Sequence, residues 1–350
     1  MHVARSRGRA YASWVEVVAR PVTLRLAETF TISRESQDEA EVVQVEVRHG
    51  EHVGHGEAAP IDRYDESVQS AAEFVEAHAL DLGDDPFALD EVLARLPSEQ
   101  FAARAAIDAA LHDLQGKLIG LPVWRLLGLR RLGPPTSWTI WLGDPDDMAR
   151  RAERVAERGF RRLKLKLGAR DGLDVERVRA VRGVTDLPLQ VDVNEYWTLD
   201  EALENLPQLD IQYCEQPLPA GDRDGAELKR RSPVPIYVDE DCHTLADVAA
   251  CAERAHGITI KLAKSGGVRE AIRMVHAARA LGLGIMLGCM LESGLGIAAG
   301  AQMASLSDHV DLDGNLLLAN DPWPGVRLVD GVQVPSEQPG LGVTRAVTIS

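Results

Sequence analysis

The chain has 350 residues, of which 45% are hydrophobic and 26% charged, and its formal net charge is −16. This composition is typical of a globular protein with a large core, and because only 5% of the residues are aromatic, that core must be mainly aliphatic. The acidic balance argues against nucleic acids and anionic membrane surfaces as partners, since both require a basic face. No apolar run approaches the length of a membrane span.

The cysteines do not form a recognisable framework. Cys214, Cys242, Cys251 and Cys289 include no C-x-x-C pair, so neither a zinc site nor a set of disulfides is expected. Reduced core thiols in a cytoplasmic protein are the simplest interpretation.

The first third of the chain predicts a mixed α and β domain. Strands are expected at residues 15–18 and 42–47, with a polar turn region at 33–39 between them. A loop rich in Gly and Pro follows at residues 52–63. Helices are then predicted at residues 67–80, 85–96 and 98–118, with Ser98 as the N-cap of the last and Gly120 as its end.

From about residue 136 short apolar runs alternate with helix-length amphipathic segments. The predicted strands are residues 137–142, 162–167, 187–193, 211–214, 236–238, 258–262, 284–287 and 309–312. Eight strands with intervening helices favour a closed parallel barrel over an open sheet. The final segment, residues 322–350, contains short strands and turn residues, and we expect it to return to the first domain.

Three acidic residues stand where barrel strands should end. Asp192, Glu215 and Asp239 are each separated by about one β/α unit, which places them on the carboxyl-terminal face of three successive strands. Three adjacent carboxylates repel one another unless a cation is bound, and Mg²⁺ is the hard divalent ion that such oxygens favour. Alternatively each could cap the helix that follows its strand, which explains one acid better than three at regular spacing.

Lysines alternate with leucines in the second predicted barrel strand. Lys164 and Lys166 share one face of that strand, so both point into the barrel if the leucines pack outward. Two ammonium groups close together should lower at least one lysine pKa toward neutrality, as a general base requires. An exposed basic edge strand is the alternative, but a barrel has no free edge.

A further lysine is expected on the opposite side of the barrel. Lys261 lies in an apolar strand-like run, whereas Lys264 falls in the loop that follows and is the competing candidate. Two opposed bases with a metal between them suit 1,1-proton transfer. One base would remove an α-proton and the other would reprotonate the opposite face, while the metal holds the enolate oxygens.

These residues, together with the segments Leu121-Pro-Val-Trp-Arg-Leu-Leu-Gly128 and Gly288-Cys-Met-Leu-Glu-Ser293, resemble the enolase superfamily in its muconate-cycloisomerase-like branch. The resemblance implies a modified (β/α)₇β TIM-like barrel with an α+β capping domain. We therefore predict a capping domain at residues 1–130, a catalytic barrel at 131–320 and a tail at 321–350 that returns to the capping domain.

The resemblance also implies roles for individual residues. The metal would be Mg²⁺, with Mn²⁺ as a possible substitute, and the reaction would pass through an enolate. The implied metal ligands are Asp192, Glu215 and Asp239, the acid/base groups Lys166 and Lys261, the assisting lysine Lys164, the supporting residues Asn194 and Glu240, and a substrate-binding residue Glu292.

One motif narrows the choice within the family. Asp311 and Asp313, at the eighth strand, resemble the Asp-x-Asp pattern of dipeptide epimerases, whose two carboxylates receive the ammonium group of the dipeptide. An Asp-Gly turn would explain Asp313 but not Asp311. The expected partner is thus a small dipeptide, and the sequence leaves a homo-oligomer possible.

The first capping loop departs from relatives that act on Ala-Glu. Those relatives have a second arginine in this loop, whereas this chain reads Ser33-Arg34-Glu35-Ser36-Gln37. Gln37 has no charge and Glu35 is negative, so we expect a neutral, apolar or cationic second residue in the dipeptide. Arg34 is long enough to reach the same place, which would favour an acidic residue instead.

Other functions compatible with the sequence are an N-acylamino-acid racemase, an o-succinylbenzoate synthase or a cycloisomerase on the same fold, and a non-catalytic barrel that binds a metal-chelated ligand. Asp311 and Asp313 argue against the first group, whose substrates lack a free ammonium group. The opposed lysines Lys166 and Lys261 argue against the last.

Overall fold

The computed structural model describes residues 16–346, so Val15 of the first predicted strand lies outside the described residues. The N-terminal part forms an antiparallel sheet of β1 (Glu16–Thr31), β2 (Ser36–His49) and β3 (His52–Ala58). Both predicted strands are longer than expected, because Thr31 pairs with Ser36 and leaves a turn of residues 32–35 only, rather than the predicted 33–39.

Four helices follow this sheet. They are α1 (Val68–Ala77), α2 (Leu89–Arg95), α3 (Phe101–Ile119) and α4 (Val123–Leu126). The prediction that Ser98 caps α3 is wrong: the helix starts after Gln100, and the Glu66 carboxylate accepts hydrogen bonds from the backbone N–H groups of Phe101 and Ala102. Gly120 ends α3 as predicted, with a left-handed φ of 72°.

Strand β3 corrects the prediction of a loop at residues 52–63. Its glycines allow α3 to approach closely, since a Cβ atom on Gly54 would lie 2.0 Å from the Ala110 carbonyl oxygen. A Cβ atom on Gly56 would lie equally close, 2.0 Å, to the Ala106 carbonyl oxygen. The glycines thus allow close packing against Ala106 and Ala110 of α3 rather than marking a loop.

The rest of the chain forms an eight-stranded parallel sheet in sequential order. Its strands are β4 (Trp138–Ile140), β5 (Leu163–Lys166), β6 (Leu189–Asp192), β7 (Cys214–Glu215), β8 (Ile236–Val238), β9 (Gly257–Lys261), β10 (Gly284–Gly288) and β11 (His309–Asp311). The Ser137 N–H donates to the Val310 carbonyl at 2.9 Å, which joins the first and last strands. Each strand overlaps its predicted position, and the predicted fold class is confirmed.

Helices fill all seven connections between these strands, which gives the (β/α)₇β pattern. They are α5 (Pro145–Glu157), α6 (Asp174–Arg182), α7 (Leu199–Asn205), α8 (Gly225–Arg231), α9 (Val248–Arg254), α10 (Leu262–Ser265) with α11 (Val268–Ala280), and α12 (Gly294–Met303). Leu163, Leu165 and Leu167 are fully buried in the hydrophobic layer between the strands and these helices. The alternate residues Lys164 and Lys166 therefore point into the barrel.

The C-terminal segment contacts both parts of the chain. It forms a hairpin of β12 (Arg327–Val329) and β13 (Val332–Val334), and the Thr136 N–H donates to the Gly331 carbonyl at 2.7 Å. Farther on, the Leu341 N–H donates to Asp113 of α3 at 2.7 Å.

Two buried carboxylates of the N-terminal part accept hydrogen bonds from backbone N–H groups of the barrel. Glu57 of β3 accepts a hydrogen bond from the Ser293 N–H at 2.7 Å, and Asp108 of α3 accepts one from the Val268 N–H at 2.6 Å. The loops that precede α12 and α11 are therefore fixed against the N-terminal sheet and helix.

The cysteines are free thiols, and three of them are fully buried. Among residues 16–346, no helix combines the length and the apolar character needed to cross a bilayer.

Asp113 of α3 connects strand β3 and the C-terminal segment, so its substitution tests how much this connection contributes to stability. Its buried carboxylate accepts hydrogen bonds from the His55 N–H at 2.8 Å, the Lys117 ammonium at 2.6 Å and the Leu341 N–H at 2.7 Å. Asp113→Ala should lower the free energy of unfolding in urea by roughly 3 kcal/mol, because buried donors lose their acceptor. Asp113→Asn should fall between this variant and the wild type. The exposed control Glu204→Ala should stay within about 0.5 kcal/mol of the wild type; a similarly small change in Asp113→Ala would contradict the assignment.

Candidate active site

A cavity of about 690 Å³ lies between the carboxyl ends of the barrel strands and the loops of the N-terminal sheet. The predicted site residues that line it are Arg34, Gln37, Lys164, Lys166, Asn194, Asp239, Glu240, Lys261, Asp311 and Asp313. Asp192 and Glu215 lie beneath this surface, where lysines contact them.

Strand register aligns the site residues in two rows. Lys166, Asp192 and Glu215 are register partners on β5, β6 and β7. Lys261 and Asp311 both pair with Gly288 of β10. Because β5 and β9 are four strands apart in an eight-stranded barrel, Lys166 and Lys261 stand on opposite walls of the cavity.

Lys164 is surrounded by carboxylates. Its ammonium lies 3.1 Å from an Asp192 oxygen, 2.7 Å from Glu215 and 2.8 Å from Asp311. Burial lowers the pKa of Lys164, but the negative charges of Asp311, Glu215 and Asp192 outweigh it and raise this pKa well above its ordinary value. Lys164 is therefore not a lysine whose pKa is lowered by a neighbouring ammonium group.

Each of the other cavity lysines is paired with one carboxylate. The Lys166 ammonium lies 2.7 Å from an Asp192 oxygen, and the Lys261 ammonium lies 2.6 Å from an Asp239 oxygen. Burial lowers the pKa of Lys261, but the negative charges of Asp239 and Glu215 outweigh it, so that this pKa is also raised. Gly288 leaves room for Lys261, since a Cβ atom there would lie 3.3 Å from its Cγ and Cε atoms.

The donor set formed by Asp192, Glu215 and Asp239 fits a hard divalent cation. All three carboxylates are buried, with exposures of 0–2%. Burial raises the pKa of Glu215 to about 7, although Lys164 opposes the shift, and the charges of Asp192 and Asp239 add to it. Among the side chains that the structure describes, no three His, Cys, Asp or Glu form a preformed metal cage. Lysine ammonium groups contact Asp192, Glu215 and Asp239 instead. The site thus has carboxylate charge that needs a cation, and the lysines supply it here.

Asp311 and Asp313 form a second acidic wall of the cavity. One Asp311 oxygen is bound to Lys164, while the other is buried and, within the described chain, has no hydrogen-bond partner. Asp313 accepts a hydrogen bond from the Thr139 N–H at 2.6 Å. Burial raises the pKa of Asp313 to about 7, and the charge of Asp311 adds to this shift. Such a pair of carboxylates suits a cationic ligand group.

The loops of the N-terminal sheet are fastened to the barrel by Glu195. Its carboxylate lies 2.7 Å from the Arg34 guanidinium and 2.9 Å from that of Arg63, and Arg34 also contacts Glu240 at 2.6 Å. Asn194 and Glu195 have left-handed φ angles of 49° and 75°, a conformation that strains non-glycine residues. No role was predicted for Glu195 from the sequence; its only signal is that it directly follows Asn194, which lies two residues after Asp192.

Gln37 and Tyr64 complete the rim of the cavity. The Gln37 amide donates to the Glu35 carboxylate at 2.5 Å. Tyr64, which the sequence did not single out, lines the cavity and packs against the His243 ring with centroids 4.5 Å apart.

Glu292, predicted from the sequence to bind the substrate, is not among the residues that line the cavity. The loop after β10 presents Cys289, Met290 and Leu291 to the cavity. The Glu292 carboxylate instead turns back to accept the Met290 N–H at 2.9 Å and lies against Gly296 of α12. Its side chain is therefore behind the cavity wall.

Comparisons with known proteins match both parts of the chain. Residues 14–128 match the mandelate racemase/muconate lactonizing enzyme N-terminal domain, and residues 147–346 match the enolase C-terminal domain-like family. The L-Ala-D/L-Glu epimerase of Bacteroides thetaiotaomicron is 39% identical over 335 residues, which cover 93% of this chain and 86% of the relative. The L-Ala-D/L-amino acid epimerase of Pedosphaera parvula is 41% identical over 329 residues, covering 89% and 93%.

A solved structure agrees with these matches. The dipeptide epimerase of Enterococcus faecalis, in complex with Mg and L-Leu-L-Tyr, superposes with a TM-score of 0.89 at 31% identity and covers 95% of this chain and 99% of its own. The family predicted from the sequence is therefore confirmed: the chain belongs to the enolase superfamily, in the mandelate racemase/muconate lactonizing enzyme group.

Proposed function

We propose that this protein is a Mg²⁺-dependent dipeptide epimerase that inverts the α-carbon of the C-terminal residue by two-base proton transfer. The observation that carries the proposal is the placement of Lys166 and Lys261 on opposite walls of one cavity. The reaction predicted from the sequence agrees with the epimerase activities named for the relatives.

The two lysines account for the inversion. A substrate α-carbon between them would present one face to Lys166 Nζ and the other to Lys261 Nζ. One amine removes the α-proton, and the opposite ammonium returns a proton to the other face, which inverts the configuration. Lys261 is held as an ammonium by Asp239, so it can act as a base once a cation offsets that carboxylate.

Asp192, Glu215 and Asp239 would hold the divalent ion. When bound, Mg²⁺ supplies positive charge that stabilises the negative charge developing on the substrate carboxylate, and Mn²⁺ is a chemically similar substitute. Lys164, which bridges Asp192, Glu215 and Asp311, adds positive charge at the same end of the cavity.

Asn194 and Glu240 support this arrangement. The Lys166 ammonium donates to the Asn194 side-chain oxygen at 3.3 Å, and the Asn194 amide reaches Glu240 at 3.5 Å. Glu240 in turn holds Arg34. These contacts connect the proposed base on β5 with the first loop of the N-terminal sheet.

Asp311 and Asp313 favour a dipeptide over the other substrates of this fold. Their two carboxylates would pair with the free ammonium group of the substrate, which N-acylated amino acids and cycloisomerase substrates lack. The unpartnered Asp311 oxygen and the raised pKa of Asp313 both favour a cationic partner at this wall.

The second residue of the dipeptide would face the turn between β1 and β2 and the start of β2, which contain Glu35 and Gln37 respectively. The Arg34 guanidinium is engaged by Glu195 and Glu240, so its charge is already neutralised at the rim. An uncharged or basic second side chain therefore suits this loop better than a glutamate. The names of the two relatives specify different second residues for the dipeptide, glutamate in one and an amino acid in general in the other. Their activities therefore do not predict which second residue this protein prefers.

The two-base assignment is tested by exchange of the substrate α-proton in D₂O. Lys166→Ala and Lys261→Ala should each stop epimerisation, because one face of the α-carbon loses its base. Each variant should keep exchange for one enantiomer only, and the two variants should retain opposite enantiomers. NMR of both enantiomers of one dipeptide measures this directly.

Two controls accompany that assay. The Lys229 ammonium donates to the Ala252 carbonyl at 2.7 Å outside the cavity, so Lys229→Ala should behave as the wild type.

EDTA should abolish exchange at both faces of the substrate α-carbon in the wild type, and Mg²⁺ or Mn²⁺ should restore it. Normal epimerisation by both lysine variants would refute the two-base model, and full activity after exhaustive chelation would refute the metal requirement.

The ammonium site predicts a pH dependence of substrate binding. Since the pKa of Asp313 is raised to about 7, its carboxyl group becomes protonated as the pH falls through 7 and loses its attraction for an ammonium group. KM should therefore rise roughly tenfold between pH 8 and pH 6, as expected for one group of this pKa. Asp313→Asn should have a high KM that no longer changes in this range, and an N-acetylated dipeptide should not turn over. A wild-type KM that is constant from pH 8 to pH 6 would contradict the site.

The loop predicts the preference for the second residue. Ala-Leu, Ala-Phe or Ala-Lys should have a higher kcat/KM than Ala-Glu, because Arg34 and Arg63, the arginines that line the described cavity, are both paired with carboxylates. Gln37→Arg should raise kcat/KM for Ala-Glu by about tenfold, in the range of one charge-assisted contact, and leave Ala-Leu nearly unchanged. If the wild type prefers Ala-Glu by tenfold or more, Arg34 or another cation performs the recognition and the inference from Gln37 is wrong.

A further inference from the structure

Lys264 is a buried cation that the proposed proton transfer does not use. It lies on α10, directly after β9, and its side chain is 0% exposed and does not line the cavity. Its ammonium donates to the Asp239 carboxylate at 2.6 Å, to the Asp239 carbonyl at 2.6 Å and to the Thr259 carbonyl at 3.0 Å. A lysine ammonium has three protons, so all of its donors are engaged within the protein.

These bonds determine how the Asp239 side chain is presented. Lys264 holds Oδ1 together with the carbonyl oxygen of the same residue, so the carboxylate cannot rotate without breaking a buried ion pair. The Gln216 side-chain oxygen fixes the backbone by accepting the Asp239 N–H at 2.8 Å. The remaining oxygen, Oδ2, is directed to Lys261 at 2.6 Å.

We propose that Lys264 is a positioning residue, which orients the Asp239 carboxylate so that Oδ2 faces the cavity and its cation. This inference rests on the proposed function, in which Asp239 binds the metal. It assigns different roles to two lysines only three residues apart: Lys261 reaches the cavity, whereas Lys264 acts through Asp239.

The sign of one measurement distinguishes positioning from simple charge. A cation beside a metal ligand disfavours a second cation, so removal of Lys264 would tighten Mg²⁺ binding if its charge alone mattered. Removal would weaken Mg²⁺ binding if orientation matters more, as is usual for residues that hold a metal ligand in place.

The experiment measures the Mg²⁺ dissociation constant by calorimetry on folded Lys264→Met, with the urea midpoint as a check of stability. We expect at least tenfold weaker Mg²⁺ binding and a parallel loss of α-proton exchange at both faces of the substrate. Lys264→Gln, which keeps one donor group, should be intermediate, and it replaces Lys264→Met if that variant does not fold. Lys229→Met is the matched control and should bind Mg²⁺ as the wild type does.

Asp239→Asn and the double variant with Lys264→Met separate the possible outcomes. If Lys264 acts through Asp239, the double variant should bind Mg²⁺ no more weakly than Asp239→Asn alone. Unchanged Mg²⁺ binding in Asp239→Asn would refute the proposed metal site. Weakened binding in Asp239→Asn, with unchanged or tighter binding in Lys264→Met, would refute the positioning role alone. Loss of exchange at one face only, with normal Mg²⁺ binding, would make Lys264 a base and overturn the inference.

Discussion

Neutralisation of buried charge is the constraint on which the site depends. An isolated ammonium or carboxylate inside the barrel would cost several kcal/mol, and a partner of opposite charge must offset this cost. The groups that do so are Lys164, Lys166, Lys261 and Lys264 on one side and Asp192, Glu215, Asp239 and Asp311 on the other. No member can change its charge without affecting its neighbours, so entry of a cation and loss of a lysine proton are coupled processes.

Strand register brings these charges together, and the N-terminal part of the chain encloses them. The pairing of β5, β6 and β7 sets Lys166, Asp192 and Glu215 side by side, which no loop rearrangement could achieve as rigidly. The rim, by contrast, is held by side chains: Glu195 binds arginines from two separate loops. The barrel strands form a rigid base for the cavity, and its rim is held by ion pairs between loops. This arrangement suits an enzyme that keeps one reaction while its preference for the substrate side chain varies.

Structural features that follow from the alternation of side chains along a single strand could be predicted from the sequence. Alternation in the Lys164–Lys166 segment identified both the barrel strand and the inward lysines, because each requires only local geometry. Features that depend on distant partners were missed. Strand β3 contains glycines because α3 packs on it, and the cap of α3 comes from Glu66 rather than from the nearby Ser98. The raised pKa of Lys164 likewise depends on Asp311, which lies 147 positions away in the chain.

Lys261 and Lys264 show most clearly why the assignment of chemistry needs the structure. Lys261 ends β9 and Lys264 lies on α10 directly after it. Both contact Asp239, and the sequence allowed either to be the base. The difference lies in the hydrogen bonds that each ammonium group donates. Lys264 donates to three protein oxygens, whereas Lys261, among the residues that the structure describes, donates to Asp239 alone and borders the cavity. A base must have a nitrogen lone pair that can point at the substrate, and an ammonium with every proton engaged in the protein cannot provide one. Counting donors against acceptors therefore separates the two roles, and it does so from geometry that does not depend on the identity of the substrate.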